Sequence, residues 1–190
     1  MISTFIWLAI AAGLLLYTVV IYNGLVGLKH GIAKAWANID ILLVQRHDEL
    51  PKLVETCKQH MQFERATLEK VMAARSAADN ARSAGDIKGV GNAQGALRSG
   101  LGSITATVEA YPELRANQSI QQLLGRITGL ENAISDRREF YNEAVNIYSV
   151  RLEQFPDVIV ARLGGFKPGQ LLDFSSDDKQ DVNVKALFAG

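Results

Sequence analysis

Cysteine and proline are both scarce in this chain of 190 residues, which limits how its fold can be stabilised and interrupted. The single cysteine, Cys57, cannot form a disulfide within the chain, and its place in an apolar pattern predicts a small core residue. The four prolines leave long stretches free to form helices. Stability must therefore come from helix packing and from a membrane.

Net charge is also absent, because 20 basic side chains balance 20 acidic ones. Without a basic stripe, we expect no nucleic-acid partner. His60 and Glu64 are one helical turn apart, as two metal ligands could be, but the sequence offers no third ligand. We therefore interpret them as a surface pair. The sequence holds no phosphate-binding loop and no nucleophile–base arrangement, and it predicts no enzyme, no cofactor and no metal site.

Charged residues are missing altogether from Ile2 to Tyr22. At 1.5 Å per residue these residues form about 31 Å of helix, which matches a hydrocarbon core of about 30 Å. The run is too long, and its start too poor in basic residues, for a cleaved signal peptide. We assign residues 1–22 to a transmembrane anchor whose membrane-contacting side chains include Trp7, Leu14, Leu15, Leu16, Tyr17 and Tyr22.

Basic residues flank the anchor on its C-terminal side alone. They are Lys29, Lys34 and Arg46. The positive-inside rule therefore predicts an outside N-terminus and a soluble part in the cytoplasm.

An apolar seam continues from the anchor without a helix breaker. Its members step by threes and fours, with Arg46 as the polar exception, and they are Ile32, Trp36, Ile39, Leu43, Leu50, Leu53 and Cys57. This pattern predicts a transmembrane helix continuous with a long soluble helix that ends near Ser83. Pro51 allows either a kink or a turn between two helices, and the unbroken seam favours the kink.

Two further seams predict two further helices. Asp86 is a suitable N-cap for the second, Tyr111-Pro112 ends it, and Asn117 or Ser119 starts the third, which stops near Pro156. The second helix carries five glycines, which indicate either a soft helix or close backbone approach: Gly89, Gly91, Gly95, Gly100 and Gly102. The predicted fold is all-α, an antiparallel coiled-coil-like bundle of three to four helices over 23–155. A packing segment (156–174) and a polar tail (175–190) follow.

Several segments in this order resemble the bacterial LemA family. They are 22–29 (YNGLVGLK), 35–40 (AWANID), 45–56 (QRHDELPKLVET), 111–117 (YPELRAN), 141–145 (YNEAV) and 155–156 (FP), with Ala161 and Gly165-Phe166 after them. The resemblance implies a single-pass protein of the bacterial inner membrane with a helical soluble domain, and no established catalytic activity or cofactor. It also implies a link to magnetosome-membrane biogenesis, and a membrane protease as a possible partner.

Helix lengths predict an uncovered surface. A helix from Tyr22 to Ser83 would measure about 90 Å, whereas the second helix covers only about 39 Å. The uncovered part of the seam predicts self-association through Ile32, Trp36, Ile39, Leu43 and Leu50. The resulting hypothesis is a non-enzymatic homo-oligomer that organises or remodels the lipid bilayer. The alternative is an adaptor or signalling subunit for a membrane protease or sensor kinase.

Overall fold

The computed structural model describes residues 2–60 and 63–173, and every regular element among them is helical. The helices are α1 (Ile2–Lys58), α2 (Arg65–Ser83), α3 (Ile87–Ala110), α4 (Pro112–Arg115), α5 (Gln118–Glu153) and α6 (Asp157–Leu163). The all-α prediction is confirmed. The predicted tail, 175–190, lies outside the described residues, as does the last residue of the predicted packing segment.

The predicted anchor and the helix predicted to follow it form one continuous helix, α1. Pro51 lies inside α1, so the chain does not turn there. Within the uncharged run, the hydroxyl of Thr18 donates to the carbonyl of Leu14 at 2.9 Å, which satisfies this polar group without water. Among the described helices, α1 alone is long and apolar enough to cross a membrane, and its most apolar stretch is almost entirely exposed. This helix fits a membrane anchor.

The prediction that the first helix continues to Ser83 is wrong. α1 ends at Lys58, where the N–H of His60 donates to the carbonyl of Cys57, three residues back, at 3.0 Å. After the break α2 returns antiparallel to α1, with Arg82 Nη1 at 3.2 Å from Asp40 Oδ1. No glycine or proline marks the break, so helix propensity does not explain it.

The other predicted helix ends are confirmed. Asp86 caps α3 by accepting a hydrogen bond from the N–H of Gly89 at 3.0 Å. Asn117, rather than Ser119, caps α5, because its Oδ1 accepts from the N–H groups of Ser119 and Ile120. Pro112 is the first residue of α4.

Close backbone approach explains two of the five glycines in α3. A Cβ on Gly100 would lie 2.7 Å from Val71 Cγ2, and one on Gly91 would overlap the carbonyl oxygen of Asp173. Gly102, by contrast, faces open space.

The described residues form two compact units. The first contains 2–38 and 137–170, and the second contains 39–136 and 171–173, so α1 and α5 each contribute to both. The core of the second unit is built mainly from α1, α2, α3 and α5, and includes Leu53, Val71, Leu97, Ile104 and Ile127. A smaller cluster in the first unit contains Ile21, Leu25, Val160 and Ala161.

Candidate functional site

In the first unit, α5 packs antiparallel to the part of α1 that follows the anchor. The rings of Trp36 and Tyr141 meet edge to face with their centroids 5.7 Å apart. Further along, Nη2 of Arg151 lies 3.7 Å from the position that a Cβ would take on Gly24. α5 therefore approaches the anchor with its C-terminal end.

The chain after α6 returns between these two helices. The Tyr141 hydroxyl donates to the carbonyl of Gln170 at 2.8 Å, which ties this segment to α5. A Cβ on Gly169 would lie 3.2 Å from Val145 and 3.5 Å from Ile32, so glycine allows the segment to lie close to both helices.

An open, mostly apolar groove of about 700 Å³ lies beside this returning segment. We call it the proximal groove, because Tyr22 at the end of the anchor lines it. Its other main lining residues are Val26, Ile32 and Trp36 of α1, Tyr141 and Tyr148 of α5, and Phe166 and Gly169 of the returning segment. The rings of Tyr22 and Phe166 meet edge to face with centroids 5.4 Å apart.

The five residues predicted to mediate self-association separate into two groups. Ile32 and Trp36 are half-buried and line the proximal groove. Ile39, Leu43 and Leu50 are buried inside the second unit. The expectation that the whole stripe is uncovered is therefore wrong for these three, because the chain turns after Lys58 and covers them with its own residues.

The six side chains assigned to the anchor are exposed, with exposed fractions from 46% for Tyr22 to 70% for Trp7. Such exposure suits a helix surrounded by lipid rather than by protein.

Arg46 of the second unit is buried, with only 2% of its surface exposed. Its guanidinium donates to Oε1 of Glu131 through Nη1 and to Oε1 of Gln94 through Nη2. Burial lowers the pKa of Arg46, whereas the neighbouring carboxylate of Glu131 opposes that shift. Arg46 is therefore a buried member of the apolar seam and not part of an exposed charged face of α1.

A cavity of about 20 Å³, large enough for about one water molecule, adjoins Arg46 and Gln94. Nε of Arg46 and Nε2 of Gln94 meet no hydrogen-bond acceptor among the described residues. A cavity of this size fits no larger ligand. The cluster instead fixes how α1, α3 and α5 align, because each helix supplies one of its members.

The described residues hold no group of three or more histidine, cysteine, aspartate or glutamate side chains arranged for a metal ion. His60 Nε2 lies 3.3 Å from Asn117 Nδ2, while Glu64 accepts from the Thr67 hydroxyl at 3.4 Å. Cys57 is fully buried, and burial raises the pKa of its thiol to about 11. A thiol in this environment is a poor nucleophile.

The proximal-groove residues Tyr141, Phe166 and Gly169 were not predicted as site residues. Tyr141 lies at helical spacing with Ile134 and Val145 in the apolar seam of the predicted third helix. Such a seam is a signal for packing and not for an open surface. Phe166 and Gly169 lie in a segment without helical periodicity. Gln94 carried a detectable signal, because it is a polar residue between Val90 and Leu97 in the apolar seam of the predicted second helix.

The sequence model of the LemA family matches residues 35–186. Magnetosome protein MamQ 2 and Magnetosome protein MamQ 1 of Paramagnetospirillum magneticum are each 31% identical over 86 residues, which are 44% of this chain and 32% of theirs. Magnetosome protein MamQ of Magnetospirillum gryphiswaldense is 21% identical over 169 residues, or 77% of this chain and 62% of its own. The chain thus spans less than two thirds of each of these relatives.

Proposed function

Because the chain belongs to the LemA family, we propose that it is a non-enzymatic, membrane-anchored protein that self-associates and organises or remodels the bacterial inner membrane. Similarity to magnetosome proteins supports a membrane-associated role. The observation that carries the proposal is the proximal groove, an open apolar surface directly beside the anchor.

A second surface in the first unit complements the groove. α5 exposes three apolar side chains, which we call the α5 stripe: Phe140, Ile147 and Val150. Phe140 and Ile147 are seven residues apart and therefore lie on one face of α5. Tyr141 and Tyr148, each the next residue along, line the groove. Groove and stripe therefore occur at the same levels along α5.

Membrane anchoring favours contact between these two surfaces. Copies with parallel anchors hold their grooves and stripes at one distance from the bilayer, which raises the effective concentration of each for the other. The α5 stripe of one copy then packs into the proximal groove of the next. A contact between two different surfaces is heterologous, and repeating it produces a ring or an open array. Either assembly would impose its own curvature on the membrane.

Cysteine cross-linking in native membranes tests this contact. Ala33 lines the groove and Ile147 belongs to the stripe, so a chain with both Ala33→Cys and Ile147→Cys should form a ladder of cross-linked species with a short bifunctional maleimide. The wild type serves as the background, because Cys57 is buried. The matched control joins Ile41→Cys to Ala33→Cys, since Ile41 is exposed on α1 outside the groove.

Cross-linked species no larger than those of the control would refute the groove–stripe contact. A chain that remains monomeric in this experiment would favour the adaptor instead.

We also propose that the soluble part lies in the cytoplasm. Lys29 and Lys34 are exposed after the anchor, and Arg162 and Lys167 are exposed elsewhere in the first unit. Arg46 is buried with Glu131 and adds little to this signal. A membrane-impermeant maleimide should label Ile41→Cys only after the inner membrane is opened. Labelling in intact spheroplasts would show that the soluble part lies outside the inner membrane and would refute this orientation.

A further inference from the structure

The junction between α5 and α6 carries an exposed apolar surface that the proximal groove does not use. Phe155 is 81% exposed, Ile159 is 51% exposed and Leu163 is 84% exposed. The three residues follow one another at intervals of four. We call them the α6 corner. Large apolar side chains clustered at such exposure mark a contact surface rather than a surface adapted to water.

The opposite side of α6 fixes the position of this corner beside the anchor. Val160 and Ala161 are buried in one cluster with Ile21 and Leu25 of α1. Ile21 belongs to the last turn of the uncharged run that ends at Tyr22. α6 therefore packs where the hydrocarbon part of the anchor ends.

The antiparallel pairing of α5 with α1 independently places the α6 corner near the anchor. Trp36 contacts Tyr141, and Gly24 lies beside Arg151, so the two helices run antiparallel. α5 ends at Glu153, two residues beyond Arg151, and Phe155 follows in the turn that leads into α6. Phe155 therefore lies just beyond the end of α5 that faces the uncharged run.

The polar groups of the corner suit a lipid interface. Asp157 is buried and accepts from Nε of Arg151, so its charge is compensated. Arg162 and Lys167 are exposed on either side of the turn that ends α6. That turn is closed by hydrogen bonds from Phe166 N–H to Ala161 and from Gly165 N–H to Arg162, with Gly165 at a φ of 67°. Long basic side chains at such a depth can extend to lipid phosphates.

We propose that the α6 corner inserts Phe155, Ile159 and Leu163 into the lipid interface beside the anchor. The protein then holds the bilayer at two places, the transmembrane helix and a short interfacial wedge in one leaflet. The wedge fixes the rotation of the anchor and displaces headgroups on one side of the membrane. This inference rests on the membrane anchor of the proposed function and does not depend on self-association.

Depth-dependent fluorescence quenching tests the wedge in the full chain. Single variants Phe155→Cys and Leu163→Cys are labelled with a small fluorophore and reconstituted in vesicles of three parts phosphatidylcholine to one part phosphatidylglycerol. Some of the lipids carry a spin label near the headgroup. Ile147→Cys is the matched control, because Ile147 is exposed on α5 six residues, or about 9 Å, before the end of the helix at Glu153. We expect quenching at 155 and 163 to be several-fold stronger than at 147.

Leu15→Cys, inside the anchor, distinguishes the two possible failures. Quenching at 15 by a deep spin label, together with quenching at 155 and 163 no stronger than at 147, would overturn the wedge and leave the anchor intact. Protection of 155 and 163 from aqueous iodide without lipid quenching would also overturn it, and would assign the corner to a second copy. Failure to quench at 15 would refute membrane insertion itself. Circular dichroism of each variant confirms that the helices have formed.

Discussion

At the scale of single residues, the buried guanidinium of Arg46 constrains how the helices of the second unit pack. Its partner Glu131 lies 85 residues away on α5, and Gln94 lies on α3, so one side chain joins three helices. A buried ion pair adds little net stability when intact, but breaking it leaves an uncompensated charge. Arg46 therefore contributes mainly to the specific alignment of α1, α3 and α5 and little to net stability.

Glu131→Leu should destabilise the second unit by about 3–5 kcal/mol, because Arg46 then remains charged, buried and paired only with Gln94. Thermal unfolding of the full chain in detergent, followed by circular dichroism, measures the change. The control is Glu55→Leu, which removes an exposed carboxylate paired with Lys58 and should cost less than about 0.5 kcal/mol. Adding Arg46→Met to Glu131→Leu should recover much of the loss. Equal losses of stability in Glu131→Leu and Glu55→Leu would contradict this account.

The thiol of Cys57 should be unreactive in the native protein, because it is buried and its pKa is raised to about 11. We expect maleimide to label the wild type at neutral pH only after unfolding, whereas Ile41→Cys should react at once. Rapid labelling of the folded wild type would mean that the core around α1 opens readily.

Polar residues in apolar seams are visible in a sequence, and both Arg46 and Gln94 could be found in this way. Their pairing could not, since it depends on the alignment of α1 with α3 and α5. Glu131 carries no signal of its own, because a glutamate in a helix is ordinarily a surface residue.

At the scale of helices, the glycines of α3 divide according to what each one faces. Gly100→Ala should destabilise the protein by about 1–3 kcal/mol, since its Cβ would press on the buried Val71 of α2. Gly102→Ala is the matched control, two residues away and facing open space. It should stabilise by about 0.5–1 kcal/mol, through helix propensity alone. If the melting temperatures of the two variants shift in the same direction, close packing is not the reason for glycine at position 100.

Most helix ends followed from local chemistry, as Asp86, Asn117 and Pro112 illustrate. The break after Lys58 did not, because no cap, glycine or proline is present there and the apolar steps continue past it. Such a break forms when returning α2 against α1 buries more surface than extending the helix would. The error at this one position produced the expectation that Ile39, Leu43 and Leu50 are uncovered.

At the scale of the whole molecule, the sequence predicted the helical class and the long apolar helix that fits a membrane anchor. An uncharged run of membrane length and three apolar seams are strong, redundant signals. The proximal groove could not be predicted, because Phe166 and Gly169 return between two helices in a segment without periodicity. A surface of this kind depends on the arrangement of three chain segments.

The central claim, self-association beside the membrane, is tested most directly by the mass of the full-length chain extracted in mild detergent, with images of the same sample. We expect a large ring or array for the wild type, and monomers when Phe140→Asp and Ile147→Asp remove the α5 stripe. The matched pair Ile41→Asp and Val44→Asp, also exposed but on α1 in the second unit, should leave the assembly intact. A wild type that is monomeric, or a stripe variant that still assembles, would contradict the account.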